Sequence, residues 1–431
     1  MTKDVENSLP FAGIGPFVAG AGPLTTLFRR LTDRWMGTRK PQALTIDDIR
    51  SDGPERQSQP GKFDAASFRS QLEALRDRIN AQLGADDLAH LKKIERRGWM
   101  ASIAGYATIW MFPNPVTPFL LSFGQLTRWL LAHHILHRGY DKVPGVAPRY
   151  TSKVFARGRR RFIDWFDWIH PDAWHYEHNI LHHYYTGEEK DPDLIERNVQ
   201  FVREAKVPKI FKYALVAATA LTWRFTYYAP NTISVINPER IDKPAGDDKR
   251  GALTVRDLFR FGNPHVRKLW TACYLPYGLF HFVVQPLLFL PFGTSVALCV
   301  LANKLIAEAM LNVHSFMVIG PNHTGSDLYR FDYHIRNKEE FYAHQVLGSA
   351  NYHTGGDACD HSQIWLNYQI EHHVFPDIPM LKYQQFQPEI KRICEAHGLP
   401  YVQESIFVRF GKMVQVWVGN ASMKELKQFP R

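Results

Sequence analysis

Histidines lie in three short segments of this sequence, at spacings that suit metal binding. The first segment, His133-His134-Ile135-Leu136-His137, closes an apolar stretch. On a helix, His133 and His137 are one turn apart, so both imidazoles can face the same metal ion. A pair at this spacing also occurs in helices that bind no metal, and its meaning therefore depends on the other two segments.

The second segment runs from His175 to His183 and contains four histidines. On an α-helix, His175, His178 and His182 would share one face, and His183 would point about 100° away from His182. Each buried imidazole has two polar nitrogens to satisfy, so such a group makes poor core filling. The spacing favours two metal ions held side by side. A zinc-binding or surface patch is the alternative.

The third segment places Gln369 ahead of the adjacent His372 and His373, in the string Asn-Tyr-Gln-Ile-Glu-His-His-Val-Phe-Pro. Earlier in the chain, His314 and His323 lie at or beyond the end of a long apolar stretch. A histidine in that position is either functional or an interfacial group that reaches toward water.

The donor set of these segments is imidazole without sulfur, which disfavours an iron–sulfur cluster and a structural zinc site. The four cysteines form no CxxC pair and indicate no disulfide framework. Attack on an unactivated C–H bond requires a redox metal, dioxygen and electrons from outside. Metal ions held just beyond the ends of spanning helices could perform that chemistry on a lipid tail.

Five apolar stretches must position these segments. They cover residues 99–112, 116–136, 208–229, 269–290 and 294–319. A membrane span needs about 20 apolar residues, and the second, fourth and fifth stretches reach that length. Pro113 and Pro115 turn the first stretch back into the second, which predicts a helical hairpin. Arg224 interrupts the third stretch, which predicts a helix in the membrane interface.

These assignments predict four spans with all three histidine segments on one face of the membrane, because two crossings separate the second segment from the third. Three basic clusters, Lys92–Lys93, Arg96–Arg97 and Arg159–Arg161, lie on that same face, as cytosolic loops prefer. The net charge of +10 then reflects an anionic membrane surface. No nucleic-acid-binding motif accompanies it, so no nucleic-acid partner is expected.

The chain divides into four regions in this interpretation. Residues 1–62 are rich in Gly, Pro, Asp, Arg and Ser and are expected to be poorly ordered. Residues 63–98 form an amphipathic helical segment, 99–415 a membrane domain with a cytosolic cap, and 416–431 a C-terminal tail. The predicted fold class is therefore all-α, a polytopic bundle with a helical cap that carries the histidine site. One cap helix is expected from Tyr383 to His397.

The three segments read HxxxH, HxxxHH and QxxHH, and in this order the pattern resembles the membrane fatty acid desaturase superfamily. The third string is particularly similar to that of acyl-lipid desaturases, and the resemblance covers about residues 95–415. It implies that the following histidines bind iron: His133, His137, His178, His182, His183, His323, His372 and His373.

The resemblance leaves four further positions open. Gln369 occupies the variable first position of the third segment, and His314 is the alternative to His323 at the end of the last span. His134 stands where many members have Asp, which implies that it supports a ligand. His175 lies outside the family pattern. Asp191 and Asp193 are candidates to hold ligands by hydrogen bonds, although a solvated loop is an equal explanation.

The resemblance implies an oxygen-dependent acyl-lipid desaturase with two iron ions (Fe2+) on the cytosolic face of a multi-pass membrane protein. Its partners would be a lipid acyl chain, membrane lipids and an electron-transfer protein. No His-Pro-Gly-Gly haem motif occurs, so the electrons are expected from a separate ferredoxin or cytochrome b5. A hydroxylase or other oxygenase with the same site is one alternative, and a non-catalytic metal- or lipid-binding membrane protein is another.

Overall fold

The computed structural model describes residues 63–241 and 253–429, and helices account for most of them, as predicted. The longer helices are α1 (Ala65–Ala81), α2 (Ala85–Thr108), α3 (Val116–Leu136), α4 (Lys209–Trp223), α5 (Pro264–Phe292), α6 (Thr294–Ile319), α7 (Lys338–Leu347), α8 (Gln369–Val374), α9 (Met380–Ala396) and α10 (Ile406–Trp417). The segment 1–62, which the sequence predicts to be poorly ordered, lies outside the described residues.

Shorter helical turns connect these helices. They are Pro148–Tyr150, Gly158–Arg160, Arg161–Asp164, Pro171–Trp174, His175–His182, His183–Tyr185, Ile195–Asn198, Gln200–Glu204, Arg224–Tyr228, Ala229–Ser234, Val255–Asp257, Gly320–His323, Asp357–Ser362 and Leu366–Tyr368. Four short strands, which the sequence patterns do not predict, are β1 (Tyr329–Phe331), β2 (Asn351–Tyr352), β3 (Gln403–Glu404) and β4 (Lys424–Leu426). β1 pairs in parallel with β4, and β2 with β3, so the C-terminal segment is tied back to the chain that follows α6.

Helix α1 packs on the rest of the protein through the apolar positions that recur every three or four residues. Phe68, Leu72, Leu75 and Ile79 are fully buried, and their helix contacts α7 and α9. Leu83 lies beyond the end of the helix and is half-buried. In α9, Ile390 and Ile393 are buried as the predicted apolar face requires. Helices α7 and α9 also contact α8, which carries His372 and His373.

Helices α2 and α3 form a close hairpin, because small residues line their contact. A Cβ atom added to Gly98 would lie 2.6 Å from the Thr127 Cβ, and one added to Gly124 would collide with the Ser102 hydroxyl. Small residues in such positions let two backbones approach closely, as membrane helix pairs do. The predicted turn at Pro113 and Pro115 joins the two helices.

Among the described residues, two helices are long and apolar enough to cross a membrane, α5 and α6. Helix α3, which the sequence also predicts to have span length, is not among them, since Gln125, Arg128 and two histidines interrupt its apolar side chains. Large apolar side chains are exposed on α2, α3, α5 and α6 and in the turn after α2. They include Trp99, Met100, Ile103, Phe112, Phe119, Leu279, Leu287, Leu288, Phe292, Leu298 and Leu305. A lipid environment would cover these side chains.

Arg224 is buried and does not reach an aqueous interface. Its guanidinium forms an ion pair with Asp167 and lies 3.8 Å from the Glu308 carboxylate. Its backbone N–H donates to Asn312 Oδ1 at 2.8 Å. Only the outer face of α4, with exposed Ile210 among others, suits the predicted interfacial position. Arg224, the polar residue that interrupts the third apolar stretch, therefore links this segment to α6 through its contacts with Glu308 and Asn312.

Candidate metal centre

Four histidines from three parts of the chain form one buried group. His133 and His137 come from the end of α3, His178 from the second segment and His372 from α8, and their candidate ligand nitrogens all lie within 4.8 Å of one another. The Nε2 atoms of His133 and His178 are 3.1 Å apart. This separation suits two nitrogens that each lie about 2.1 Å from one shared ion.

A second buried group lies beside the first. It contains His182, His323 and His373, whose ligand nitrogens also lie within 4.8 Å of one another. The ring of His323 is 4.4 Å from that of His373 and 4.7 Å from that of His182, measured between ring centres. Because His178 and His182 belong to the same helical turn and stack at 5.1 Å, the two groups are neighbours.

His183 lies between the two groups. Its ring centre is 4.4 Å from that of His137 in the first group and 4.1 Å from that of His373 in the second. Both of its ring nitrogens are buried and make no hydrogen bond. A buried imidazole rarely lacks hydrogen bonds at both ring nitrogens. A metal ion bound to one of these nitrogens would supply a missing interaction.

The second histidine segment forms a π-helix, His175–His182, and the α-helical geometry assumed from its spacing is wrong. A π-helix closes each turn with an i→i+5 hydrogen bond, and the His183 backbone N–H donates to the His178 carbonyl. His183 therefore lies about one turn above His178 instead of pointing away from it. As a result, the rings of His178, His182 and His183 lie 5.1 to 5.6 Å apart.

Hydrogen bonds to Nδ1 orient two rings of the second group. His182 Nδ1 is 2.8 Å from Asp191 Oδ1, and His323 Nδ1 is 2.9 Å from the carbonyl oxygen of Gly348. Both acceptors require the proton to lie on Nδ1, so each Nε2 atom carries a lone pair. The Gln369 amide nitrogen lies 2.8 Å from the Nε2 atom of His323 and would have to give way to a metal ion there. Asp191 was one of the two carboxylates named from the sequence.

The adjacent histidines of α8 are held in the same way by residues that the sequence patterns did not single out. His373 Nδ1 donates to Gln345 Oε1 at 2.8 Å, and His372 Nδ1 lies 3.2 Å from the Tyr383 hydroxyl. Their Nε2 atoms are buried and make no hydrogen bond. No local signal could identify Gln345 or Tyr383, since each meets its histidine through tertiary packing.

The electrostatics keep most of these rings neutral, which is the form that binds metal. Burial lowers the pKa of His178 to about 4. Burial, with the neighbouring histidines, lowers the pKa values of His183, His372 and His373 well below the usual range. For His182, burial also acts to lower the pKa, but the Asp191 carboxylate outweighs it and the pKa is raised.

The structure gives different surroundings to the four positions whose roles the family resemblance left undecided. Gln369 lies at the second group, with its side-chain amide nitrogen 2.8 Å from His323 Nε2. His134 is fully buried, with its ring centre 5.7 Å from that of His372. His175 contacts the Asn179 amide within its own turn. His314 Nε2 lies 2.6 Å from the Ser362 carbonyl oxygen. The last three belong to neither histidine group.

Two acidic residues adjoin the site. Asp193 Oδ2 lies 3.9 Å from the Nδ1 atoms of both His178 and His182, and the three residues form a further possible ligand group. Glu177, within the second segment, is fully buried. Burial first, and then the charges of Asp193 and Asp191, raise its pKa well above the usual range. The sequence analysis did not identify Glu177, although its place between two histidines was a signal.

A small cavity of about 30 Å³ lies beside the histidines. It is lined by Trp129, His133, His178, His182, Asp193, Ile195, Trp223, Tyr227, Tyr228, Phe316, Ile319, Gly320, His323, Leu366, Gln369 and Trp417. Small-molecule sites are mostly apolar with a few polar groups, and this wall follows the same pattern. The polar groups here are concentrated at the metal-binding residues, and the remaining wall is aromatic and aliphatic.

The fold and the site define a helical protein with apolar outer surfaces and a buried, sulfur-free histidine centre that fits metal ions. The fatty acid desaturase family model matches residues 107–405, and the chain belongs to this family. This match confirms the family to which the three histidine segments pointed.

Several relatives have names that describe desaturation. The NADPH-dependent stearoyl-CoA 9-desaturase of Mycobacterium tuberculosis is 26% identical over 250 residues, which cover 56% of this chain and 53% of that protein. Fatty acid desaturase 3 of Homo sapiens is 25% identical over 89% of this chain and 79% of its own length. Delta(5) fatty acid desaturase A of Dictyostelium discoideum is 25% identical over 53% and 48%. The chain thus spans about half the length of the mycobacterial and Dictyostelium proteins.

Proposed function

We propose that this chain is an oxygen-dependent fatty acyl desaturase that introduces a double bond into a lipid acyl chain. One observation carries the proposal: two neighbouring groups of buried histidines without sulfur line an apolar cavity, in a member of the fatty acid desaturase family. The apolar wall of this cavity suits contact with a hydrocarbon chain, and the histidines at its polar end suit redox metals that act on that chain.

The proposed cofactor is a pair of iron ions (Fe2+). His133, His137, His178 and His372 would hold one ion, and His182, His323 and His373 the other, with His183 as a further ligand between them. Gln369 would complete the second site or hold a ligand there by a hydrogen bond. When bound, the irons supply the activation of dioxygen that removal of hydrogen from an alkyl chain requires.

The side chains around the irons have positioning roles in this proposal. Asp191, Gln345 and the Gly348 carbonyl hold their histidines at Nδ1, so that each ring keeps one orientation. Burial and the charge of Asp193 raise the pKa of Glu177, which favours its neutral form beside the site. Trp129, Trp223 and the other aromatic residues of the cavity wall would exclude water and hold the acyl chain straight past the histidines.

The proposed topology has four spans, α2 with α3 and α5 with α6, and the histidine site on the cytosolic face. The exposed apolar side chains of all four helices support it. The basic clusters also support it, because in the sequence they stand before and between the apolar stretches. Residues 99–415 would form the membrane domain with its cytosolic cap. The segment 63–98 and the tail 416–431 would pack against the cap.

The substrate would be an acyl chain on a lipid carrier, and the electrons would come from a separate ferredoxin or cytochrome b5. The same site could also support hydroxylation, because the two reactions differ only in the fate of the carbon radical. A metal- or lipid-binding protein without catalysis would need neither oxygen nor electrons.

Product analysis separates these functions. The full-length chain would be expressed in a host of known lipid composition, with a matched His182→Ala variant as the control, and the fatty acids would be analysed by mass spectrometry. Desaturation predicts products about two mass units lighter than the substrate, and hydroxylation products about sixteen heavier, by the chemistry of each reaction. If the wild-type protein forms no new lipid with any of several electron donors, this result would contradict an enzymatic function.

A further inference from the structure

A buried arginine outside the histidine site has no partner for most of its guanidinium. Arg161, in the turn Arg161–Asp164, is 6% exposed, and its Nε and Nη2 atoms are buried without a hydrogen bond. Burial lowers the pKa of this guanidinium, and the Cys273 thiol and the Asp172 carboxylate only partly oppose the effect. A buried cation without a partner is costly, so the position calls for an anion.

The surroundings of Arg161 are cationic. Asp172 is already in an ion pair with Arg157, and its other carboxylate oxygen lies 3.8 Å from His170 Nδ1. Burial lowers the pKa of His170, and the positive charges of Arg161, Lys268 and Arg157 lower it further. Lys268 makes no ion pair with any described residue. Asp172 is therefore shared between Arg157 and Arg161, and Lys268 adds a further positive charge near His170. We call this group of charged side chains the Arg161–Lys268 pocket, and it carries excess positive charge.

The pocket lies at the boundary where α5 begins. Lys268 and Cys273 belong to the first turns of α5, and Phe162 and Ile163, next to Arg161, are 51% and 59% exposed. The Arg161 guanidinium also lies over the Phe162 ring at 5.3 Å. Exposed apolar residues beside cations are typical of the layer where lipid head groups meet hydrocarbon.

We infer that the Arg161–Lys268 pocket binds the phosphate group of an anionic molecule at the membrane surface. Arginine offers a planar set of donors that matches phosphate oxygens, and lysine adds a point charge. The phosphate group would belong to the head group of a bilayer phospholipid or to a soluble phosphate, and both present the same oxygens. This inference does not depend on the redox function, since the pocket contains none of the candidate metal ligands.

Three single substitutions test the pocket in the full-length protein. Arg161→Gln removes the buried guanidinium, and Lys268→Gln removes the second cation without disturbing the buried position. Arg159→Gln is the matched control, because Arg159 is exposed two residues away and its loss changes the net charge equally. Each protein would be purified in a neutral detergent.

The measurement is the thermal midpoint during titration with dioleoyl phosphatidylglycerol, dioleoyl phosphatidylcholine or inorganic phosphate, with bound lipid counted by native mass spectrometry. Phosphatidylglycerol should raise the midpoint of the wild type and of Arg159→Gln. Its apparent affinity should fall about tenfold or more in Arg161→Gln and by a smaller factor in Lys268→Gln. If Arg161→Gln does not fold, the Lys268→Gln and wild-type titrations decide.

The two phosphate sources give different results. A shift with phosphatidylglycerol alone assigns the pocket to a lipid head group, and an equal shift with inorganic phosphate assigns it to a soluble phosphate. Equal retention of phosphatidylglycerol and phosphatidylcholine by the wild type, with no phosphate effect, would overturn the inference. Equal losses of affinity in Lys268→Gln and Arg159→Gln would also overturn it, because the effect would then be general surface charge.

Discussion

At the scale of single residues, the candidate centre depends on which nitrogen each histidine offers. Asp191, Gln345 and the Gly348 carbonyl each accept a hydrogen bond from the Nδ1–H of one ring, so the lone pair of that ring lies on Nε2. Such supporting hydrogen bonds fix both the protonation state and the direction of a ligand. The geometry of the centre thus depends on residues that bind no metal themselves.

Replacing Asp191 with Asn should weaken the centre while leaving the fold intact. The amide can still contact His182, but it no longer supplies the negative charge that raises the pKa of this ring. We expect metal affinity and turnover to fall about 10- to 100-fold. Equilibrium dialysis against Fe2+ would measure the first and product formation the second. Glu189→Gln, an exposed change of the same type two residues earlier, should behave as wild type; equal losses in both variants would argue against the assigned role.

The buried histidines predict an acid-sensitive metal-free protein. The pKa of His178 is lowered to about 4 in the folded state, whereas an unfolded histidine has a pKa near 6.5. The unfolded chain therefore binds protons that the folded chain excludes, so stability is complete above about pH 6.5 and falls as the pH approaches 4. His182 has a raised pKa and contributes with the opposite sign, which offsets part of the loss.

Thermal unfolding of the metal-free protein between pH 8 and pH 4.5 would check this expectation. One such histidine can contribute about 3 kcal/mol across the window, and several would add to a marked fall in the midpoint. A midpoint that stays constant from pH 7.5 to pH 5 would contradict the burial of neutral imidazoles.

Residue types and spacings could predict which histidines meet, because His133, His178 and His372 each belong to a recognisable segment. They could not predict the hydrogen bonds of Gln345 or Tyr383, which come from α7 and α9 and meet the site only after the chain has folded. The same limit applies to Glu177, whose pKa is raised first by burial and then by the charges of Asp193 and Asp191, which follow it in the chain.

At the scale of elements, the π-helix His175–His182 decides how many histidines can converge. With α-helical turns, His183 would point away from His178, but the i→i+5 bond between them places both rings on the site. The sequence spacing alone could not distinguish the two helix types, since a π-turn depends on packing around the segment. The predicted spans had clearer signals, because long apolar stretches and paired prolines require no tertiary information.

The hairpin of α2 and α3 should be sensitive to added volume at Gly98. An alanine Cβ would lie 2.6 Å from the Thr127 Cβ, which forces the helices apart. We expect Gly98→Ala to destabilise the protein by about 1–3 kcal/mol and to displace His133 and His137 at the end of α3. Thermal unfolding in detergent and iron content would report the two effects.

Gly411→Ala provides the control for this substitution. Gly411 lies within α10, and no atom would lie within 4 Å of its added Cβ. Alanine is the better helix former, so this variant should be as stable as wild type or more stable by about 0.5–1 kcal/mol. If Gly98→Ala has the same small effect, close packing does not hold the hairpin.

At the scale of the whole molecule, the proposed topology places the histidine end of the helices in the cytosol and their other end on the opposite side of the membrane. Two helices, α5 and α6, meet the requirements for spans by length and composition, and the hairpin of α2 and α3 would add two more. The turns after α2 and α5 would then lie on the side opposite the histidines. This arrangement would let an acyl chain rise from the bilayer into the cavity while its head group stays in the interfacial layer.

Labelling of single cysteines tests this arrangement. With the four native cysteines replaced by alanine, Phe112→Cys and Thr294→Cys should react with a membrane-impermeant maleimide added outside intact cells. Glu189→Cys and Glu395→Cys, both exposed on the side of the histidine site, should react only after the cells are opened. Outside labelling at Glu189→Cys, or none at Phe112→Cys, would contradict four spans with a cytosolic site.

The central claim is that histidines from distant segments hold a pair of iron ions, and the iron content of the purified protein tests it most directly. Mass-spectrometric metal analysis should find about two iron ions per chain in the wild type and in His353→Ala, whose side chain is exposed and belongs to neither group. His182→Ala and His372→Ala should each lose most of the iron. Zinc or no metal in the wild type, or full iron in His372→Ala, would contradict the account.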